Sequence, residues 1–251
     1  MIMPLVTDKK ISMFKLRTVW FSDRPYDDEG IDSICHLHCI DVVDAKGFSR
    51  ETLSTLVLDL SHGLDPVWEN MAGDCRKFIR RSEKEGFTVN RNAHIVEFIQ
   101  MNKDFRRSKK LAPYNYSEDF IRDHGTLFTA ELNGQILCGY LAIHDDKYMR
   151  GLQAVSRRLE TDESIQKMIS FGNRLLVWEA INYAYNKGLS SFDLGGYYSD
   201  AHPDPEMERI NRFKRGFGGQ VTARHSYLKD YSAVLKAGRR TAGLWNKITH
   251  R

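Results

Sequence analysis

The sequence predicts a mixed α/β (α+β) fold with a mostly antiparallel sheet flanked by helices. Three strand-like runs follow one another over residues 126–156, and a long amphipathic helix follows over about 164–187. Asn133-Gly134, between the first two runs, has the composition of a two-residue hairpin turn. Consecutive antiparallel strands between helices are typical of a layered α+β domain.

The N-terminal third predicts extended chain followed by one helix. Residues 11–60 form extended segments and end in the pattern of a buried strand, "STLVLDLS". A helix is then expected over 65–85, with Asp65 as its N-cap, Pro66 at its first position and Gly86 after its end.

The later elements follow from the same rules. "FTVNR" predicts a strand, residues 92–110 predict an amphipathic helix, and a shorter helix is expected to start near Ser117. The long helix ends before Gly188. Residues 190–198, "SSFDLGGYY", then predict a short strand that runs into a glycine turn.

The composition is that of a folded soluble protein. The 251 residues are 41% hydrophobic and 28% charged, and the formal net charge of +4 is too small to mark a generally basic protein. No run approaches the ~20 apolar residues of a membrane helix, and the N-terminus lacks the order of a secretory signal. We therefore expect a cytoplasmic protein without a membrane span. The four cysteines show no disulfide framework, which agrees with a reducing compartment.

The segment "CHLHC" at residues 35–39 contains residue types that bind zinc. In a strand, however, the two cysteines point to one face and the two histidines to the other, so the four side chains do not converge on one ion. A second ligand pair at finger-like spacing is also missing from the sequence. We therefore predict no metal site.

Two segments carry patterns that single elements do not explain. The first, residues 67–89, contains Trp68 and an Arg-x-x-Ile-Arg core at residues 76–80. The second, residues 173–196, joins the long helix to a strand that ends in Asp-x-Gly-Gly. Each pattern is weak alone.

A third segment, "INRFKRGFGGQ" at residues 210–220, mixes aromatic, cationic and glycine residues in an unusual way. It contains a Phe-Lys-x-x-Phe-Gly pattern formed by Phe213, Lys214, Phe217 and Gly218. On the bland interpretation, this is a solvated basic helix end with two core phenylalanines.

Together the three segments resemble those of the Fem-type peptidyltransferases. These are GNAT-fold enzymes that move an amino acid from aminoacyl-tRNA to an amine of a cell-wall precursor. The resemblance covers about residues 55–225, and the order of predicted elements also fits the GNAT acyltransferase fold. Family members are usually longer, with two full GNAT-like lobes. We therefore expect a reduced first lobe, residues 1–90 completed by 219–251, and a GNAT-like acyltransferase domain at 91–218.

The resemblance implies a catalytic role for Lys214 and Phe213. Acyl transfer to an amine passes through a tetrahedral oxyanion, and a fixed cation aimed at that oxygen lowers the barrier. Phe213 and Phe217 are expected to form dry walls that lower the local dielectric around Lys214. Gly218 is expected to let the backbone approach a bulky ligand.

The resemblance also implies substrate-binding residues. Arg76 and Arg80, one above the other on a helix, suit phosphate groups, although a solvated basic face explains them equally well. Asp193 is either a site carboxylate or a cap of the glycine turn, and both alternatives stay open. Tyr197, which follows that turn, is expected to contact substrate. The general base is unassigned.

The donor is the remaining choice. GNAT enzymes that use acetyl-CoA hold its diphosphate on a glycine-rich turn after the central strand. Here that turn, "AVSRRLETDESIQKM", has three acids and no glycine between Gly151 and Gly172. This favours aminoacyl-tRNA as the donor. The basic segments at 106–110 and after Asp230 are candidates for contact with the tRNA acceptor stem, although a solvated basic tail is the more common case. The sequence therefore predicts an aminoacyltransferase without metal or redox cofactor, acting on a cell-wall precursor or a small peptide-like amine. The alternatives are an acyl-CoA-dependent N-acyltransferase of polysaccharide or secondary metabolism and a non-catalytic RNA-binding module.

Overall fold

The computed structural model describes residues 4–114, 116–198 and 204–242. The strands are β1 (Leu5–Ile11), β2 (Phe14–Trp20), β3 (Ser33–Cys39), β4 (Ser49–Asp59), β5 (Thr88–Arg91), β6 (Gly125–Leu132), β7 (Gln135–His144), β8 (Tyr148–Ser156), β9 (Ser191–Gly196) and β10 (Gln220–Asp230). The α-helices are α1 (Leu64–Asn70), α2 (Gly73–Lys84), α3 (Ile95–Ser108), α4 (Glu118–His124), α5 (Glu163–Asn186), α6 (Pro205–Arg215) and α7 (Ala233–Ala242).

The chain divides into two compact units, and the boundary differs from the predicted one. One unit comprises Met1–Thr55 with Val221–Arg251, and the other comprises Leu56–Gln220. The prediction assigned residues 1–90 to the first lobe, but residues 56–90 belong to the second unit. The reason is packing: the Phe78 ring of α2 lies 5.0 Å from the Phe171 ring of α5, and the apolar face of α2 is buried in the core of that unit.

The first unit is built on paired strands. β1 and β2 pair antiparallel, β2 and β3 pair parallel, and β3 pairs antiparallel with β10. The return of the chain through β10 explains why the C-terminal segment belongs to this unit.

The second unit contains a mixed, mostly antiparallel sheet. Its strands in the order β5-β6-β7-β8 pair antiparallel with their neighbours, and β8 pairs in parallel with β9. The predicted hairpin is confirmed: Asn133 and Gly134 form a two-residue loop with φ of 52° and 77°, as a type I′ turn requires. Alternate side chains face opposite layers, so that Phe128 and Tyr140 join the core cluster that contains α2 and α5 residues, whereas Leu127 joins the cluster with α3 and α4 residues.

The helix predicted over 65–85 is two helices. Met71 takes an extended conformation with φ −67° and ψ 145°, which ends α1 before α2 begins. The N-cap position of α1 is Gly63 rather than Asp65, which lies in the first turn of α1. No helix among the described residues has the length and apolar content needed to cross a membrane.

The pairing of β8 with β9 is short, and this positions the candidate site. In the described part of the chain, their parallel register joins only three pairs and ends at Arg150–Asp193, although β8 continues to Ser156. A bulge at Leu152, where the register of β7 with β8 shifts, bends β8 at this point. The two strands therefore stop pairing at Asp193, the first residue of the Asp-x-Gly-Gly end of β9.

Candidate active site

A buried ion pair lies where β8 and β9 stop pairing. Arg150 Nη1 donates to Asp193 Oδ2 at 2.5 Å, and the two side chains are only 11% and 10% exposed. Asp193 Oδ1 accepts a hydrogen bond from the Gly195 N–H at 2.7 Å. Both carboxylate oxygens are therefore engaged, one by the neighbouring strand and one by the glycine turn. This second contact is the turn cap that the sequence offered as one alternative for Asp193.

Lys214 reaches the same turn from α6. The helix begins with Asp204 as N-cap and Pro205 at its first position, and Lys214 lies in its last turn. Its Nζ donates a hydrogen bond to the Gly196 carbonyl oxygen. A Cβ atom at Gly195 would lie 3.5 Å from Lys214 Nζ and 3.9 Å from Arg150 Nη2, so the two cations face the same small space.

The surroundings of Lys214 lower the pKa of its ammonium group. Burial, the main cause, and the Arg150 charge together lower its pKa from the ordinary 10.5 to about 8, whereas the Asp193 charge acts in the opposite direction. At pH 7 the group still carries its proton. The site thus presents an ammonium group in a partly dehydrated setting, where its interaction with a developing negative charge is stronger than in water.

A buried amide holds the strand end against α6. Asn211, which is 1% exposed, accepts from Tyr198 N at 3.0 Å and donates to Tyr198 O at 2.6 Å. The Tyr197 hydroxyl accepts from Arg215 Nη1 at 2.7 Å. These contacts fix the segment that carries the Gly196 carbonyl relative to the helix that carries Lys214.

The two phenylalanines of the Phe-Lys-x-x-Phe-Gly pattern have different surroundings. Phe217 is 0% exposed in the core, and Phe213 is half-buried with its ring edge-on to that of Phe217 at 5.4 Å. Gly218 has φ 79°, and a Cβ there would lie 3.0 Å from the Asn70 carbonyl oxygen. Packing of this turn on α1 thus accounts for Gly218. A contact of Phe217 or Gly218 with substrate stays a prediction.

Arg76 and Arg80 lie at the corner between α1 and α2. Arg76 Nη1 donates to the carbonyl oxygens of Trp68 and Glu69 at 3.2 and 2.9 Å, and the Arg80 guanidinium lies 5.3 Å from the centre of the Trp68 ring. Both residues therefore have a local structural function. Their binding of substrate phosphate stays a prediction.

Sequence reasoning missed Arg150 and Asn211. Arg150 is the charged residue of β8 and lies in the buried part of that strand, where a cation is a signal for a buried acidic partner. Asn211 carried no signal, because its role depends on the backbone of Tyr198, which only the fold brings beside α6.

The antiparallel strands, the parallel β8–β9 pair that ends early and the flanking helices define a GNAT-type fold of the Fem-like kind. Among solved structures, FemX has a TM-score of 0.67 at 13% identity, covering 92% of this chain and 85% of that one. The C-terminal domain of a putative lysylphosphatidylglycerol synthetase from Agrobacterium fabrum has a TM-score of 0.54 at 12% identity, covering 91% and 82%. L-PGS from Bacillus licheniformis has a TM-score of 0.54 at 12% identity, covering 99% of this chain and 86% of that one.

These likenesses confirm the predicted fold class. No family model and no curated protein matches the sequence. At such low identity, the structural similarity concerns the fold and leaves the chemistry to be argued from the residues.

Proposed function

We propose that this protein is an acyltransferase that forms an amide from an aminoacyl-tRNA donor and an amine acceptor of a cell-wall precursor or a small peptide. The observation that carries the proposal is the position of the Lys214 ammonium at the end of the β8–β9 pairing, beside a glycine turn with no Cβ in the way. The likeness to FemX and to proteins named for a lysyl-bearing product supports the choice of an aminoacyl group.

The reaction is a substitution at an ester carbonyl. The acceptor nitrogen attacks the carbonyl carbon of the aminoacyl ester, a C–N bond forms, and the carbonyl oxygen becomes an oxyanion. The Lys214 ammonium donates a hydrogen bond to that oxygen. The ester C–O bond then breaks, and the proton lost by the amine ends on the ribose oxygen of the departing tRNA, so no protein base is required.

Arg150 and Asp193 support this chemistry indirectly. Their ion pair joins β8 to β9 where the two strands stop pairing. Asp193 also orders the glycine turn, because its Oδ1 accepts a hydrogen bond from Gly195 N. Because the Arg150 charge lowers the pKa of Lys214, the ammonium is a stronger hydrogen-bond donor to an oxyanion than an exposed lysine.

The N-terminus of α5 favours a donor other than CoA. Asp162 caps this helix by accepting from Ile165 N at 2.9 Å, and Glu163 adds a second acid in the first turn. Of the two nearby arginines, Arg157 bonds to Glu160 at 3.0 Å and to the Ile136 carbonyl oxygen at 3.0 Å, and Arg158 is exposed beside Glu160. A diphosphate at this helix end would meet acidic groups in place of free N–H donors.

The test offers two donors separately. Purified protein is mixed with a panel of amines and either aminoacyl-tRNA or acetyl-CoA, and amide products are detected by mass spectrometry. We expect product with aminoacyl-tRNA only. Turnover with acetyl-CoA alone would overturn the donor assignment, whereas salt-dependent tRNA binding without product would leave a binding module.

A further inference from the structure

Arg174 lies between two aromatic rings where three helices of the second unit meet. Its guanidinium carbon, from the middle of α5, is 4.8 Å from the centre of the Phe78 ring on α2 and 5.2 Å from that of Phe213 on α6. Phe213 directly precedes Lys214. The guanidinium thus makes cation–π contacts with two rings next to the proposed catalytic helix turn.

The hydrogen bonds of Arg174 leave its charge uncompensated. Nη1 donates to the Ser170 carbonyl oxygen at 3.0 Å, and the buried Nε makes no hydrogen bond within the described part of the chain. Among the described residues, no carboxylate oxygen lies within 4.0 Å of this guanidinium. The groups that favour its charged form are the buried Cys75 thiol, which is neutral at pH 7 and shares a side-chain hydrogen bond with Arg174, and the exposed Asp74 carboxylate of α2.

Arg150, a buried arginine of the same unit, differs from Arg174 in its charge partner. Arg150 has a carboxylate partner at 2.5 Å, as a buried cation normally requires. A half-buried guanidinium without such a partner is costly to keep, and burial accordingly lowers the pKa of Arg174. A negatively charged ligand would supply the missing partner.

We propose that Arg174 binds an anionic oxygen group of the substrate that reacts beside Lys214, an inference that rests on the proposed function. The planar fork of a guanidinium binds phosphate and carboxylate oxygens in a bidentate manner. Two sources supply such a group: a phosphodiester at the 3′ end of the donor or a carboxylate on a peptide-like acceptor. Arg174 is a binding residue in this scheme and takes no part in bond making.

The binding test uses the full chain without turnover. The trinucleotide CpCpA and the carboxylate N-acetyl-Gly-Gly, with its amide as neutral counterpart, are titrated against wild type, Arg174→Met, Arg174→Lys and the control Arg122→Gln. Arg122 is an exposed arginine of α4 that bonds to Glu118. We expect wild type to bind one of the two anions, Arg174→Met to bind it at least about tenfold more weakly, Arg174→Lys to bind with intermediate affinity, and Arg122→Gln to match wild type.

The probe that binds identifies the source of the anion. The proposal is overturned when wild type binds neither probe or when Arg174→Met binds it as tightly as wild type. Thermal unfolding separates a packing role, because an arginine that only fills space lowers the melting temperature on removal without changing probe affinity. In the transfer reaction, Arg174→Met should raise KM at unchanged kcat. Since the titrations need no turnover, their failure is distinct from that of the proposed reaction.

Discussion

The Lys214 ammonium donates a hydrogen bond to the Gly196 carbonyl oxygen at the point where β8 and β9 stop pairing. The contact joins the last turn of α6 to the glycine turn after β9. It also places the cation near Arg150, so that burial and a like charge together bring its pKa to about 8. This relationship gives the proposed chemistry its testable features.

Replacing Lys214 by methionine removes the oxyanion donor and keeps an apolar stem of similar length. We expect kcat/KM for amide formation to fall by about 10²–10³-fold, as for loss of one oxyanion donor elsewhere. Lys103→Met, at an exposed position of α3, is the matched control and should leave the rate unchanged. A Lys214→Met protein of wild-type circular dichroism and wild-type rate would exclude Lys214 from the chemistry.

The rate of transfer should depend on the proton of Lys214. Because the proposed step needs the ammonium form and its pKa is about 8, the contribution of Lys214 to the rate is complete below this pH and is lost above it. Lys214→Arg, which stays charged, should lack this decline while transferring more slowly. The measurement is kcat/KM from pH 6 to 10 on both proteins, corrected for the protonation of the acceptor amine. A decline shared by both proteins would argue against Lys214 as its source.

The free energy of unfolding should also depend on the protonation of Lys214, and the direction of this dependence follows from the lowered pKa. Below about pH 8 both folded and unfolded chains carry the proton on Lys214, and the fold bears the full cost of the buried charge. Between about 8 and 10.5 the unfolded chain binds more protons, so the free energy of unfolding rises with pH. Relative to Lys214→Met, wild type should gain about 2 kcal/mol between pH 7 and 10. Chemical denaturation at each pH measures the difference, and a constant difference would contradict the assigned pKa.

The Arg150–Asp193 pair should be needed mainly for folding. Asp193→Asn keeps an oxygen for the Gly195 N–H but leaves the Arg150 charge buried without its carboxylate, which should lower the free energy of unfolding by about 3–5 kcal/mol. Combining it with Arg150→Met should recover much of this loss. Urea unfolding of the two variants tests the pair, and a loss below about 1 kcal/mol for Asp193→Asn would speak against a tightly coupled ion pair.

Gly195→Ala should lower transfer activity as well as stability, because the added methyl group occupies the space beside Lys214 in addition to straining the backbone. Gly195 has φ 87°, and its Cβ would lie 3.3 Å from the Gly151 carbonyl oxygen and 3.5 Å from Lys214 Nζ. Gly188→Ala is the control, since Gly188 has φ 77° and open space around it. Both variants should lose about 1 kcal/mol of stability or more, but only Gly195→Ala should lose transfer activity. Equal activities of the two variants would show that the space beside Lys214 is not used.

Local patterns were sufficient to predict most elements, whereas the catalytic role of Lys214 stays a prediction. The hairpin at Asn133, the long helix and the Phe-Lys-x-x-Phe-Gly pattern around Lys214 can each be recognised from a short stretch of sequence. The break between α1 and α2 was missed because it depends on the extended conformation of Met71, and the nearby Gly73 begins α2 without itself forming the break. The roles of Arg150 and Arg174 depend on contacts with residues far away in the sequence, Asp193 and Phe213, which only the fold brings to them.

The domain boundary was misjudged for a related reason. The helical pattern of α2 says that one face is buried but not which partner covers it. In the fold that partner is α5, about 90 residues later in the chain, and therefore residues 56–90 join the second unit.

The most direct test of the account is a single-turnover reaction of wild type and Lys214→Met with aminoacyl-tRNA and the amine panel, followed by mass spectrometry of the amide. The account predicts a new amide with wild type, about 10²–10³-fold slower formation with Lys214→Met, and unchanged tRNA binding by the variant. Equal rates for the two proteins, or product only with acetyl-CoA, would contradict it.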